Sequence, residues 1–133
     1  MSNLVAKVSK ISSNQNLNIV EFDFLDTTLK MMSLDLPKGI SIGKSVELLI
    51  KPTNVIIAKG VLGEISLSNR IFATIQSLEN GELLSSMKLK IGSYYLESII
   101  TKSSSQKMNL KKGDEILALI KASDLSILRV LND

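Results

Sequence analysis

The sequence predicts an all-β protein built from two similar modules, and three observations carry this prediction. Apolar and polar residues alternate with a period of two over several stretches, as they do in half-buried strands. Long stretches with helical periodicity are absent. The second half of the chain also resembles the first half when the two are aligned. A chain of 133 residues, of which 44% are apolar and 22% charged, can bury a core of this kind.

The internal repeat is clearest where residues 40–57 align with residues 110–127 without a gap. The identical pairs in this alignment include one glycine and one lysine, and they are Gly43 with Gly113, Leu49 with Leu119, Ile50 with Ile120, Lys51 with Lys121 and Ile57 with Ile127. In both halves the lysine ends an apolar run that reads as a buried strand.

A second match lies upstream, where residues 2–11 align with residues 68–78 once one residue is inserted. Together the two matches predict a first module over residues 1–60 and a second over residues 67–133. A short connector with two glycines joins them.

The candidate strands follow one another closely within each module. Those outside the lysine strands are residues 6–11, 18–25, 73–78, 83–92 and 94–101. Gly92-Ser93 is a plausible hairpin turn between the last two, and residues 103–110 are expected to form a short helical turn. About five strands per module favour a small five-stranded barrel of the OB type. Strand exchange between modules or between subunits is left open.

Composition excludes several classes of function. The sequence contains no Cys and no His, which removes disulfides, thiolate nucleophiles, imidazole bases and the usual zinc or iron ligands. We therefore expect neither an enzyme nor a metal-cation site. The net charge of +3 comes from dispersed lysines and does not suggest nucleic acid. No secretory signal or membrane span is visible, so a cytoplasmic location is expected and a membrane partner is not.

The lysine strand of the second module is apolar on both of its faces, with Leu117 and Leu119 on the same face as Lys121. A strand of this kind is buried on both faces, so we expect Lys121 to emerge beside a covered surface, such as a subunit contact. Because an unpaired buried ammonium group is costly, such a lysine requires an anion.

Hydroxyl and amide groups are abundant close to this lysine in the sequence. They are Ser66, Ser68 and Asn69 at the opening of the second module, Thr101, Ser103, Ser104 and Ser105 near its middle, and Ser123 after the lysine. With backbone N–H groups they form a set of donors without a base or an activated nucleophile. Such a set suits a fully deprotonated oxyanion, which only accepts hydrogen bonds.

These residues resemble the molbindin family, whose Mop-type or TOBE domains bind molybdate and tungstate. The family pattern is Ser-Ala-Arg-Asn, then Thr-x-x-Ser, then a Leu-rich turn with Gly, then a strand that ends in Lys-Ala-Ser. The matching segments of this chain are Ser66-Leu67-Ser68-Asn69, Thr101-Lys102-Ser103-Ser104, Met108-x-Leu110-x-x-Gly113 and Ile120-Lys121-Ala122-Ser123. The resemblance covers most of residues 66–130.

The resemblance implies an oxyanion-binding protein that stores or buffers molybdate or tungstate, with the ligand held between modules in a homo-oligomer. The implied ligand-binding residues are Lys121, Ala122, Ser123, Thr101, Ser104, Ser66, Ser68 and Asn69. Secondary candidates are Lys51, Thr53 and Arg70.

This chain departs from the family pattern at two places. Ser68 stands where the family has arginine, and Arg70 lies two residues later. In the first module, Met31 and Leu34 occupy the positions aligned with Thr101 and Ser104, so the site of that module is expected to be degenerate. Two readings compete with storage. The first is an oligomeric regulatory or interaction module, and the second is single-stranded nucleic-acid binding, which needs exposed aromatic platforms.

Overall fold

The computed structural model describes residues 2–60 and 63–131, which form two five-stranded antiparallel sheets. The strands are β1 (Ser2–Asn14), β2 (Leu17–Phe24), β3 (Thr27–Ser33), β4 (Ser45–Ile50), β5 (Ile56–Ala58), β6 (Asn69–Asn80), β7 (Leu84–Ile91), β8 (Tyr94–Thr101), β9 (Glu115–Ile120) and β10 (Ser126–Val130). The described residues also contain a helix, α1 (Lys102–Lys107), a first 3₁₀ turn (Pro52–Asn54) and a second 3₁₀ turn (Ala122–Asp124). The all-β prediction is confirmed, and α1 overlaps the helical turn expected over residues 103–110.

Each sheet takes one edge strand from the other half of the sequence. The first sheet has the order β10-β4-β1-β2-β3, and the second has the order β5-β9-β6-β7-β8. Ile127 of β10 lies opposite Leu48 of β4, and Ile57 of β5 lies opposite Ala118 of β9. The two 3₁₀ turns carry the chain from one sheet to the other. The sheets therefore do not correspond one to one with the two halves of the sequence.

The alternating pattern places apolar side chains of both sheets in one continuous core. In β7 every second residue is buried, from Ser85 to Ile91. The largest fully buried side chains include Phe22 and Phe24 of the first sheet and Leu89 of the second. Because an aromatic side chain buries a large apolar area, these rings anchor a core otherwise made of aliphatic residues.

Two ion pairs join the exchanged strands to the sheets that receive them. Lys59, directly after β5, lies with its Nζ 3.1 Å from Asp114 Oδ2, just before β9. Arg129 of β10 lies with its Nε 3.2 Å from Glu47 Oε1 of β4. Partly exposed ion pairs contribute little stability individually. Here they favour the pairing of β5 with β9 and of β10 with β4 over pairing of each strand within its own half of the sequence.

The pKa of the Asp114 carboxyl lies below its usual value. The main cause is the hydrogen bond that Lys59 Nζ donates to it, and the second is the hydrogen bond from the Lys111 backbone N–H. A lowered folded-state pKa stabilises the fold above the unfolded pKa of about 4, and the contribution is lost as the pH falls through the folded value. We expect Lys59→Met to raise the Asp114 pKa, as measured by NMR titration of its carboxyl carbon. Lys112→Met, in the same loop as Asp114, is the matched control. An unchanged Asp114 pKa in Lys59→Met would contradict the assignment of Lys59 as the main cause.

Candidate functional site

Thr101 and Ser104 form a hydrogen-bonded pair where β8 runs into α1. Thr101 is the N-cap of α1, and its Oγ1 accepts a hydrogen bond from the Ser104 backbone N at 3.2 Å. The same hydroxyl donates to Ser104 Oγ at 3.0 Å. The cap satisfies a backbone donor that the first turn of a helix leaves free. The Ser104 hydroxyl hydrogen is then left for an acceptor outside the pair, and both side chains are exposed.

The pair borders an open cavity of about 410 Å³, the Thr101 groove, whose opposite wall is the first 3₁₀ turn with Thr53. This turn follows β4 of the first sheet and packs against β8 of the second. Ser98 of β8 fixes the contact, because its buried Oγ donates to the Val55 carbonyl at 2.9 Å. The apolar residues that line the groove include Val55, Ile57, Ile99, Ile100 and Met108. Strand exchange therefore brings three hydroxyl groups from distant parts of the sequence to one groove.

The two lysines lie beside different sheets. Lys51 precedes the first 3₁₀ turn, next to the Thr101 groove, and its side chain is exposed. Lys121 precedes the second 3₁₀ turn, which packs against β3 of the first sheet and carries Ala122 and Ser123. Within one chain, the turn that faces Thr101 is therefore the one with Thr53. Lys121 is exposed directly after β9, whose last residues Ala118, Leu119 and Ile120 are buried, and its place at a subunit contact stays a prediction.

The first-sheet counterpart of Thr101 is Leu34. Val20 of β2 lies opposite Met31, just as Met87 of β7 lies opposite Ser98, so Met31 is equivalent to Ser98. The alignment that placed Met31 at the Thr101 position is wrong, because the second half is longer by the helical turn α1. Leu34 is 69% exposed, and this end of the first sheet lacks the hydroxyl pair.

The remaining candidates lie just before β6 or at its first residue, and they differ in exposure. Ser66 and Ser68 are exposed. Asn69 has no exposed surface, and its amide spans the outer edge of β3. Its Oδ1 accepts from the Lys30 backbone N at 2.7 Å, and its Nδ2 donates to the Lys30 carbonyl at 2.9 Å. The amide oxygen and one amide hydrogen are thus used to hold the two sheets together.

Arg70 folds back on its own segment. Its Nε and Nη2 donate to the carbonyls of Leu67 and Ile65 at 3.2 and 2.7 Å. Arg70 lies opposite Leu119 as Asn3 lies opposite Leu49, so Asn3 is the counterpart of Arg70 and not of Asn69. The guanidinium orders the segment that contains Ser66 and Ser68.

Lys59 is a positioning residue that sequence reasoning missed. Besides Asp114, its Nζ donates to the carbonyls of Met108 and Asn109 at 3.3 and 3.4 Å. These carbonyls follow α1, so Lys59 ties the exchanged strand β5 to the loop beside the Thr101 groove. No local sequence signal marks this role, because the partners come together only through strand exchange.

The described ranges, 2–60 and 63–131, contain no cluster of three or more His, Cys, Asp or Glu side chains that could hold a metal ion. Within the same ranges, no helix has the length and apolar character needed to cross a membrane.

Comparison with known proteins gives a family-model match for the second half and a fold for nearly the whole chain. The model of the TOBE domain matches residues 65–127. No curated protein sequence matches the chain significantly. Among solved structures, the chain is similar to the cytoplasmic molybdate-binding protein ModG in a crystal form with molybdate bound. The TM-score is 0.87 at 21% sequence identity, over 94% of this chain and 93% of that one. The second half of the chain is therefore similar to the TOBE domain, and the chain has the tandem OB-like fold of ModG over nearly its full length.

Proposed function

We propose that this protein is a cytoplasmic binding protein for molybdate or tungstate that stores or buffers the oxyanion. The main observation behind this proposal is the Thr101 groove, which brings the hydroxyls of Thr53, Thr101 and Ser104 together. The likeness to ModG, crystallised with molybdate, supports this ligand class. The proposed function is reversible binding rather than catalysis, in keeping with a sequence that has no His and no Cys.

The chemistry of the groove suits a tetrahedral dianion. A fully deprotonated oxyanion accepts hydrogen bonds and donates none, so hydroxyl donors such as Ser104 complement it. Hydrogen bonds to a charged group are stronger than those between neutral groups. Lys51 would add positive charge from the adjacent turn. Preference for molybdate or tungstate over sulfate would rest on the size of the cavity, because the three anions share charge and shape.

We further propose that the candidates remote from this groove bind oxyanion between copies of the chain. Lys121, Ala122 and Ser123 adjoin the first sheet, where Leu34 offers no hydroxyl. Ser66 and Ser68 from another subunit would supply the missing donors. This proposal retains the two modules, residues 1–60 and 67–133, as the repeating units of a homo-oligomer. Neither nucleic acid nor a membrane has a part in it.

Ser104→Ala provides the direct test of the groove, because it removes a hydroxyl and leaves the Thr101 cap in place. We expect isothermal titration with molybdate and tungstate to show binding about 10- to 100-fold weaker than in wild type, as for the loss of one hydrogen bond to a charged group. Ser103→Ala, on the same helix, is the matched control and should bind as wild type does.

The lysines are tested in the same titration, with sulfate as the competing anion. Lys51→Ala should weaken binding at the groove more than Lys121→Ala does. Equal affinity in wild type and Ser104→Ala would contradict the proposed site, and no heat with any of the three anions would contradict the proposed function.

A regulatory or interaction module is the second candidate function. The exposed Leu34 in place of Thr101 favours it, because an apolar residue at this position contributes nothing to oxyanion binding. In that case the oxyanion would act as a signal, and its binding would change assembly with a partner.

A further inference from the structure

The hairpin between β6 and β7 contains the dipeptide Asn80-Gly81, and no other asparagine of the sequence precedes a glycine. Asn80 is the last residue of β6, and both residues of the dipeptide are exposed. An asparagine followed by glycine is especially open to deamidation, because a residue without a side chain lets its backbone nitrogen approach the neighbouring carboxamide. The sequence therefore offers one place for a covalent change that requires only water.

The reaction at such a dipeptide has two steps. The Gly81 backbone nitrogen loses its proton to a base in solution and bonds to Cγ of Asn80, while the carboxamide nitrogen takes up a proton and leaves as ammonia. Water then opens the resulting succinimide ring. Attack at Cγ gives aspartate, and attack at the backbone carbonyl carbon gives isoaspartate, in which the main chain runs through Cγ. The sum consumes water and releases ammonia, without oxidation or reduction.

The folded hairpin holds both reacting groups away from ring closure. Oδ1 of Asn80 accepts a hydrogen bond from Oγ of Ser85, which lies opposite it and is fully buried. The Gly81 backbone nitrogen, the attacking atom, donates to the Leu84 carbonyl at 2.8 Å. An extended strand also turns the next backbone nitrogen away from the side chain that precedes it. Ring closure therefore requires this end of the hairpin to open, and local openings of this kind occur well below the cost of global unfolding.

The same end of the hairpin is joined to the Thr101 groove. The Leu83 carbonyl accepts a hydrogen bond at 2.9 Å from the backbone N of Lys102, the first residue of α1. Leu84 lines the groove itself. Isoaspartate adds one atom to the main chain, so the register at the end of the hairpin cannot be kept. A change at Asn80 therefore reaches the start of α1.

We propose that Asn80 is a site of spontaneous deamidation, and that the Ser85 hydroxyl slows the reaction by holding the hairpin end closed. The proposal does not depend on oxyanion binding, since the reaction needs only the dipeptide, water and an open hairpin end. Deamidation is slow in the folded protein and fast in the unfolded chain. Its product carries one more negative charge and a weakened contact between the hairpin loop and α1.

The first test is incubation of the full chain in mildly alkaline buffer, with peptide mass spectrometry to locate the replaced amide. The change should appear at Asn80, and it should be faster in denaturant than in the folded protein. Folded Ser85→Ala should react about 3- to 10-fold faster than folded wild type, as for the loss of one hydrogen bond that opposes opening. Ser98→Ala removes another buried serine hydroxyl and is the matched control, which should react at the wild-type rate.

Several results of this test would overturn the proposal. One is equal rates for folded Ser85→Ala and folded wild type. Another is a wild type that reacts as fast when folded as in denaturant. Faster deamidation at another asparagine would remove the assignment of the site, as would an Asn80 that stays intact in folded Ser85→Ala.

The second test measures amide hydrogen exchange of Lys102 after the isoaspartate form has been separated by ion exchange. Exchange of this amide should be faster than in fresh wild type, because the register change disturbs the Leu83 carbonyl that accepts its hydrogen bond. Asn80→Gln keeps an amide but closes the corresponding larger ring much more slowly, so after the same incubation it should remain unmodified, with unchanged Lys102 exchange. An unchanged Lys102 amide in the isoaspartate form would contradict the proposed link to α1.

Discussion

A chain that ends at Leu125, and therefore lacks β10, is expected to lose much of the stability of the first sheet. β10 pairs with β4, and its Ile127 and Val130 pack against the common core. Removing it leaves the backbone groups of β4 that face β10 without partners and uncovers apolar side chains such as Leu48. We expect the free energy of unfolding to fall by about 3–5 kcal/mol, from lost ladder hydrogen bonds and lost apolar burial. That is a large part of the usual stability of a domain.

The strands in which amide hydrogen exchange speeds up distinguish strand exchange from a fold in which each half forms its own sheet. Amide hydrogen exchange in the shortened chain should speed up first in β1 and β4, although the deleted residues belong to the second half of the sequence. A chain that ends at Leu131 keeps β10 and should match wild type. Faster exchange confined to β6 and β9 would contradict the observed pairing, as would unchanged denaturant unfolding of the shortened chain.

The strands were predictable because their burial follows from local sequence. The alternation in residues 18–25 and 83–92 survives in β2 and β7, where every second side chain faces the core. Gly92-Ser93 forms the expected turn, and Gly92 adopts a positive φ of 58° that favours glycine. In these elements the contacts that decide the structure are close in sequence.

Strand exchange could not be deduced in the same way. β5 and β10 are short, apolar and equivalent in the repeat, so either could pair with β4 or with β9. The choice depends on the direction in which the 3₁₀ turns leave the sheet and on ion pairs such as Lys59 with Asp114. Those interactions join residues that are far apart in sequence and leave no periodic signal.

The candidate site shows the same limit. The motif predicts Thr101 and Ser104 as site residues, and the structure places them together at the start of α1. Their neighbour across the groove is Thr53, because exchange carries the first 3₁₀ turn to the second sheet. A linear motif specifies which side chains an element carries. The topology decides which other element lies opposite those side chains.

Replacing Asn69 by alanine is expected to destabilise the fold by about 2–4 kcal/mol, since it removes two hydrogen bonds and leaves backbone groups of Lys30 unpaired in a partly buried place. The side-chain amide pairs with the free edge of β3 as a neighbouring strand would, with hydrogen bonds of 2.7 and 2.9 Å to the Lys30 backbone. Asn69→Asp should cost at least as much, because it keeps the acceptor, loses the donor and buries a charge. Denaturant unfolding measures the loss of stability, and hydrogen exchange of the Lys30 amide reports the lost bond directly.

Asn3→Ala is the matched control for Asn69→Ala, because it removes the same amide from an exposed place on β1. Its bond to Glu47 at 2.7 Å is exposed, so we expect a loss below about 1 kcal/mol and an unchanged Lys30 amide. The comparison also decides between two roles for Asn69. If it holds the sheets together, Asn69→Ala loses stability even without oxyanion. If Asn69→Ala keeps full stability and instead loses affinity for molybdate, Asn69 is a ligand-binding residue, and the bond to Lys30 is incidental to folding.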